Sequence, residues 1–252
     1  MIKFDRASGW VRRALTLLVL FGVGLGGLVV PVAADDGDVL SLARRLAPWV
    51  KLFAGREQQF QLIGRVEAPI DGSVHGVDLH LARHDDSSFD FAATHADYAV
   101  AIRRRADATA LALPKHGRVY LGQGEVDGDI ALAPLGLTER MISADSAVAT
   151  YVALVQGGSP ELIAATAVGA LGAKYDAVDD AWRIGNLQLS FPAPERIVIE
   201  IDQVTVTLER AIAPEAPAAI DDWDGLQQES LERDELERTL CRGVRRAFEV
   251  LL

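Results

Sequence analysis

The chain is short of cysteine, of positive charge and of catalytic signatures, and each shortage excludes something. A single cysteine, Cys241, rules out an intramolecular disulfide. In an exported protein a lone cysteine pairs between chains or stays a free thiol, and the plainer reading is a small apolar residue on the last helix. It lies too far from the N-terminal apolar run to be a lipid anchor. Lysine and arginine number 25 against 36 acids, for a net charge of −11. Residues 1–34 carry Lys3, Arg6, Arg12 and Arg13 against Asp5, a surplus of three positive charges, so the remainder stands at −14. Phosphate backbones require cations, so a nucleic-acid binder is excluded, and simple docking on anionic lipid is disfavoured.

Catalytic motifs are absent too. No Gly-x-Ser-x-Gly elbow occurs, and Gly157-Gly158-Ser159 reads as a helix cap. Gly122-Gln123-Gly124 follows a strand but opens no glycine-rich helix, so it is no dinucleotide site. The acid pairs Asp85-Asp86, Asp179-Asp180 and Asp221-Asp222 lie in loop-like stretches and read as solvated charge. All five histidines fall between His75 and His116. His80 and His84 share a strand face with Asp78, and Asp85, Asp86 and His95 are nearby acids and imidazole. A metal centre needs a third or fourth ligand and supporting partners, and a wet sheet face explains the same residues. The expectation is a non-enzyme with no catalytic residue, no metal and no cofactor. No internal repeat is found.

What is present is length enough for one large or two small domains, and an apolar half sufficient for a core. Residues 1–34 read as a signal peptide: basic residues, an apolar stretch from Ala14 to Val30, then Pro31-Val32-Ala33-Ala34 suited to cleavage after Ala34. The alternative is a retained anchor, since Ala14 to Ala34 nearly spans a bilayer core of ~30 Å. Arg12-Arg13 sits in poor surroundings for a twin-arginine signal. Either way the body is expected outside the cytoplasm, periplasmic or secreted.

Spacing of three and four among Val39, Leu42, Ala43, Leu46, Val50 and Phe53 predicts a helix over 38–55, ended or kinked by Pro48. From Phe60 to about Glu125 the period is two. Phe60, Leu62, Gly64 and Val66 share a face, as do Val77, Leu79 and Leu81, then Phe89 and Phe91, then Tyr98, Val100 and Ile102. That alternation, punctuated by Asp71-Gly72, Asp85 to Ser88 and Lys115-His116-Gly117, predicts an antiparallel sheet. Small residues at Ala92, Ala93, Ala99, Ala101, Ala108, Ala110 and Ala112 suit either a concave face that admits something bulky or ordinary packing under a helix. A helix capped by Ser143 or Asp145 is followed by one opened by Ser159-Pro160-Glu161. The latter is apolar almost all round from Leu162 to Leu171, which places it against the sheet. Strands return over 181–184, 187–191, 196–201 and 204–208. Residues 211–222 read as a semi-rigid linker, and 223–252 as an amphipathic helix with Leu236, Leu240, Val244, Phe248 and Leu251 in one stripe. That helix either docks on its own domain or binds a partner.

This element order resembles the LolA/LolB-like lipoprotein-carrier superfamily over roughly residues 38–210. The local echo is Leu81-Ala82-Arg83-His84, a turn, Phe89-Asp90-Phe91, then Thr109 to Leu113 and Val119-Tyr120-Leu121. The resemblance implies an α+β fold: a curved antiparallel sheet (an open half-barrel, residues 35–210) with helices on its concave face. Arg83 matches the family's arginine, and His84 stands where the family has proline. With no cysteine at the cleavage point, the chain is similar to the soluble carrier.

The expected function is an exported carrier that holds the acyl chain of a lipid or lipoprotein in an apolar groove. The expected lining is Phe60, Leu62, Leu79, Phe89, Phe91, Leu162 and Ile163, with Arg83 beside them. The alternative is a non-enzymatic envelope scaffold whose protein partner binds through 223–252.

Overall fold

The computed structural model describes residues 36–53, 59–70, 72–85, 87–126, 173–212 and 216–251. The expected signal peptide, the two helices expected between 143 and 171, and with them Leu162 and Ile163, lie outside the described residues. The class is α+β: an open, predominantly antiparallel sheet with, among the described residues, two α-helices. The chain divides into two compact units, one of residues 1–57 and 138–207, the other of residues 58–137 and 208–252.

In the first unit, helix α1 spans Asp36–Phe53. Leu42, Ala43, Leu46, Ala47, Trp49 and Leu52 are buried along one face, as their three- and four-residue spacing requires. The helix runs through Pro48 without a break. Proline leaves the carbonyl four residues back without its donor, and here that residue is the exposed Arg44, where water can serve. Strands β7 (Lys174–Asp176), β8 (Ala181–Ile184), β9 (Leu187–Ala193) and β10 (Arg196–Ile201) form an antiparallel meander. Its turns use left-handed residues, Gly185 at φ 60° and Asp202 at φ 53°. Asp202-Gln203 leads into β11 (Val204–Ala211), which straddles the division between the units. Arg45 lies over two rings of this meander, 5.0 Å from the Trp182 centroid and 5.7 Å from that of Phe191.

In the second unit the strand order is β12-β6-β5-β4-β3-β2-β1. Strands β1 (Phe60–Ile70), β2 (Ser73–Arg83), β3 (Phe89–Thr94), β4 (Ala99–Arg104), β5 (Ala108–Leu113) and β6 (Arg118–Gln123) pair antiparallel in chain order, as the alternation predicts. A 3₁₀ turn at Pro114–His116 joins β5 to β6, closed by Gly117 in the left-handed region. Strand β12 (Gln227–Glu232) then pairs parallel with β6, and helix α2 (Arg233–Leu251) follows without a loop. The expected helix over 223–252 is therefore corrected: its first ten residues are turn and strand, and the helix starts at Arg233. Among the described residues, no helix is long and apolar enough to cross a membrane.

Candidate functional site

Directly opposed residues in a sheet share a face, so the register defines rows of side chains across β1–β6. One row is apolar throughout: Leu62, Leu81, Phe91, Ile102, Leu111 and Tyr120, each paired to the next. A neighbouring row on the same face reads Phe60, Arg83, Phe89, Arg104, Thr109 and Gly122. The next row on the other side opposes Gly64 to Leu79, Leu79 to Ala93, and Ala93 to Val100. Phe60, Leu62, Leu79, Phe89 and Phe91 thus stand on one face.

Helix α2 packs on that face. Leu236 and Leu240 join Phe89 and Ile102 in a buried cluster, with Leu81, Phe91, Leu111, Tyr120 and Cys241 packed around it. The two phenylalanines expected to line an open groove are therefore held under the chain's own last helix. Cys241 is half-buried among these apolar groups.

The row with Arg104, Thr109 and Gly122 seats the start of α2. A Cβ on Gly122 would meet the Arg233 Cα at 2.6 Å, so only glycine admits the helix backbone there. Arg233 and Glu237, one turn apart, are buried, as are Arg104 and Thr109. Glu237 Oε1 accepts from Arg104 Nε at 3.1 Å, Thr109 Oγ1 at 2.5 Å and Arg233 Nε at 3.2 Å. The remaining arginine donors reach main-chain oxygens. Arg233 bonds the carbonyls of Ala106 and Arg105 at 2.8 Å each and that of Gly124, and Arg104 bonds that of Ser87 at 2.7 Å. Two guanidiniums thus share one carboxylate, and main-chain carbonyls accept from Nη1 of each and from Nη2 of Arg233. Burial holds the Arg233 guanidinium below the ordinary arginine range, opposed by the Glu237 charge and reinforced by Arg104.

Arg83 is buried at the edge of this cluster and donates to the Asp85 carbonyl at 3.2 Å. Its neighbour His84, also buried, bonds Asp90 through Nε2 at 3.0 Å. Arg105 Nη1 approaches the other Asp90 oxygen at 2.8 Å as an ion pair, without a well-directed hydrogen bond. Asp85 accepts from the Ser87 N–H at 2.7 Å and the Ser87 hydroxyl at 2.9 Å. Burial of Asp85 works against its ionisation, but the Ser87 and Ser88 hydrogen bonds outweigh it and hold the carboxyl below its ordinary range.

The opposite face carries the small residues. Ala110, Ala112 and Val119 form a buried cluster beneath Ile220, Trp223 and Leu226, with Ala101 and Leu121 beside them. Ala101, Ala110 and Ala112 therefore accommodate a segment of this same chain, whereas Ala93 stands on the face of Phe91. That segment is fastened as well as packed. Arg103 donates to the carbonyls of Ala219 and Asp222 at 2.6 and 2.7 Å and lies 3.9 Å from the Trp223 ring centroid, and Arg105 reaches the Ala218 carbonyl at 2.6 Å. The expected linker over 211–222 is thus bound to the sheet along 218–222.

The expected pair, His80 and His84, does not converge on a shared partner. His80 bonds the Gln61 side chain at 2.7 Å, His84 belongs to Asp90, and His75 and His95 stack on each other at 5.7 Å. Among the described residues, no three metal-ligating side chains come together. The buried Arg104–Thr109–Glu237–Arg233 cluster escaped the sequence reading. A period-two pattern marks which face a residue takes, but nothing local ties Thr109 to a residue 128 positions later. No protein-family model and no curated protein matches the chain.

Proposed function

We propose that the protein is an exported, non-enzymatic carrier that takes up the acyl chain of a lipid or lipoprotein on the apolar face of β1–β6, with α2 occupying that face when no ligand is bound. The observation that supports this reading is the six-strand row from Leu62 to Tyr120, covered by a helix through Leu236, Leu240 and Cys241. Magnitudes favour exchange. Full burial of two leucines is worth about 3–6 kcal/mol. A chain of about fourteen methylenes offers on the order of 11 kcal/mol at ~0.8 kcal/mol each. The Arg233–Glu237 seat holds the first turn, Leu236 included, while the helix from Leu240 onward yields, so the cover need not leave the protein.

On this reading the sheet is the curved half-barrel of a LolA/LolB-like carrier, and the protein works in the periplasm or is secreted. The scaffold alternative must use surfaces of α2 other than the Leu236–Leu240 stripe, which is engaged with its own sheet.

Cys241 is the sole cysteine and sits at the covered face, so it reports on the exchange without any substitution. A sixteen-carbon fluorescent fatty acid titrated into the full chain is expected to bind saturably and to raise the rate at which a thiol reagent modifies Cys241. Absence of saturable binding, or binding that leaves the Cys241 rate unchanged, overturns the proposal.

A further inference from the structure

A second surface lies away from the face covered by α2. Arg65, Asp78 and Thr94 fall on the face opposite Leu62 and Leu81, as the direct pairings of Arg65 with Asp78 and of Asp78 with Thr94 require. With His75, Gly76, His95 and Lys115 they line an open cavity of about 440 Å³. That volume lies within the range of small-molecule sites.

The cavity is built around Arg65. Its Nη1 donates to Asp78 Oδ1 at 2.6 Å and its Nε to Glu67 Oε1 at 3.0 Å, so two carboxylates orient the guanidinium plane. Hydrogen bonds to Glu67 and Asp78 hold its charge more firmly than usual. The remaining nitrogen, Nη2, has no protein acceptor among the described residues. It lies directly over Gly76, where a Cβ would stand 2.8 Å from it. Glycine at 76 therefore opens the space the guanidinium occupies.

The second wall is a run of stacked rings, His75 on His95 at 5.7 Å and His95 on Tyr98 at 6.2 Å. The Asp97 N–H donates to His95 Nδ1 at 3.2 Å. Lys115 and Thr94 add an ammonium and a hydroxyl, neither with a partner among the described residues. Asp78 contributes the one carboxylate among the lining residues, and Asp97, just outside, brings Oδ2 to 3.8 Å from His95 Nδ1.

We propose that this cavity binds the phosphate group of a small phosphorylated alcohol. Donor-bearing residues outnumber carboxylates in the lining: Arg65, Lys115, His95 and Thr94 stand against Asp78. Three terminal oxygens of a phosphate use such a set more completely than the two of a carboxylate. Asp78, anchored by Arg65, accepts from a hydroxyl on the same ligand. The chain is strongly acidic overall, so non-specific attraction of anions does not account for binding at this point. A soluble metabolite and a lipid headgroup both present such a phosphate, and the two sources share this chemistry.

The test is calorimetric titration of the full chain with inorganic phosphate and glycerol 3-phosphate, beside co-sedimentation with phosphatidylglycerol vesicles. Saturable binding of glycerol 3-phosphate supports a soluble ligand. Vesicle binding that glycerol 3-phosphate competes away supports a headgroup. Binding of neither overturns the proposal. Arg65→Gln and Lys115→Ala are each expected to weaken binding at least tenfold. Gly76→Ala should do the same by moving the guanidinium, with an unchanged circular dichroism spectrum and melting temperature. Affinity that survives all three variants overturns the assignment.

Discussion

Two arginine–carboxylate clusters flank the β1–β6 sheet, and each involves a glycine beneath an arginine. At one end Arg233 and Arg104 share Glu237, all buried, with the Arg233 backbone pressed on Gly122. At the other, Arg65 bridges Asp78 and Glu67, with the guanidinium tip over Gly76, and these side chains are 50%, 60% and 40% exposed. The pairings are chemically alike and the distances similar, so burial separates them. A buried ion pair is weak evidence of net stabilisation, yet removing one partner strands a charge that water cannot reach. An exposed pair is solvated before and after, so it serves orientation more than stability. One cluster is a seat for a helix; the other positions a donor toward open space.

The largest effect should come from breaking the buried cluster. Glu237→Ala leaves two guanidiniums without their carboxylate and Thr109 without its acceptor, and should lower stability by about 3–5 kcal/mol. Urea unfolding followed by circular dichroism measures it, and a loss below about 1 kcal/mol would place this cluster with the surface pairs.

The two glycines sharpen the contrast next. Gly122→Ala drives a methyl into the backbone of Arg233, which has little room to yield, and should cost about 1–3 kcal/mol. Gly76→Ala meets only the tip of a flexible side chain and should stay within about 0.5 kcal/mol. Equal melting temperatures for the two variants would show that the helix start is less tightly seated than its 2.6 Å approach implies.

The smallest effect is expected at the exposed pair. Arg65→Gln should change stability by no more than about 1 kcal/mol. That difference should shrink further at 1 M salt, where screening acts over ~3 Å. A large, salt-independent loss would mean that Arg65 is structural and would remove the contrast.

Much of the fold was legible because its signal is local. The alternation at Phe60, Leu62 and Val66 predicts a buried face, and those three side chains are buried. Asp71-Gly72 and Lys115-His116-Gly117 were readable as turns because Gly72 and Gly117 adopt the left-handed conformation that glycine tolerates. The stretch 227–232 was not legible. Gln227-Gln228-Glu229-Ser230-Leu231-Glu232 is acidic, continues a helix-like run, and pairs parallel with β6, a partnership that no hairpin turn announces. The candidate groove shows the same limit. The phenylalanines at 89 and 91 are readable as one face from their spacing, whereas the packing of α2 on that face is announced by nothing near them in the sequence.

The sequence by itself determined the strand periods, the tight turns, the apolar face of each strand and the Leu236–Leu240 spacing of the last helix, because each depends on neighbours a few positions apart. Only the tertiary structure decided that α2 lies on that row, that residues 218–226 lie over the alanines, and that Arg104, Thr109, Arg233 and Glu237 meet. Those choices join residues more than a hundred positions apart, and they are settled by which surfaces exclude water together and by which buried charges find a partner.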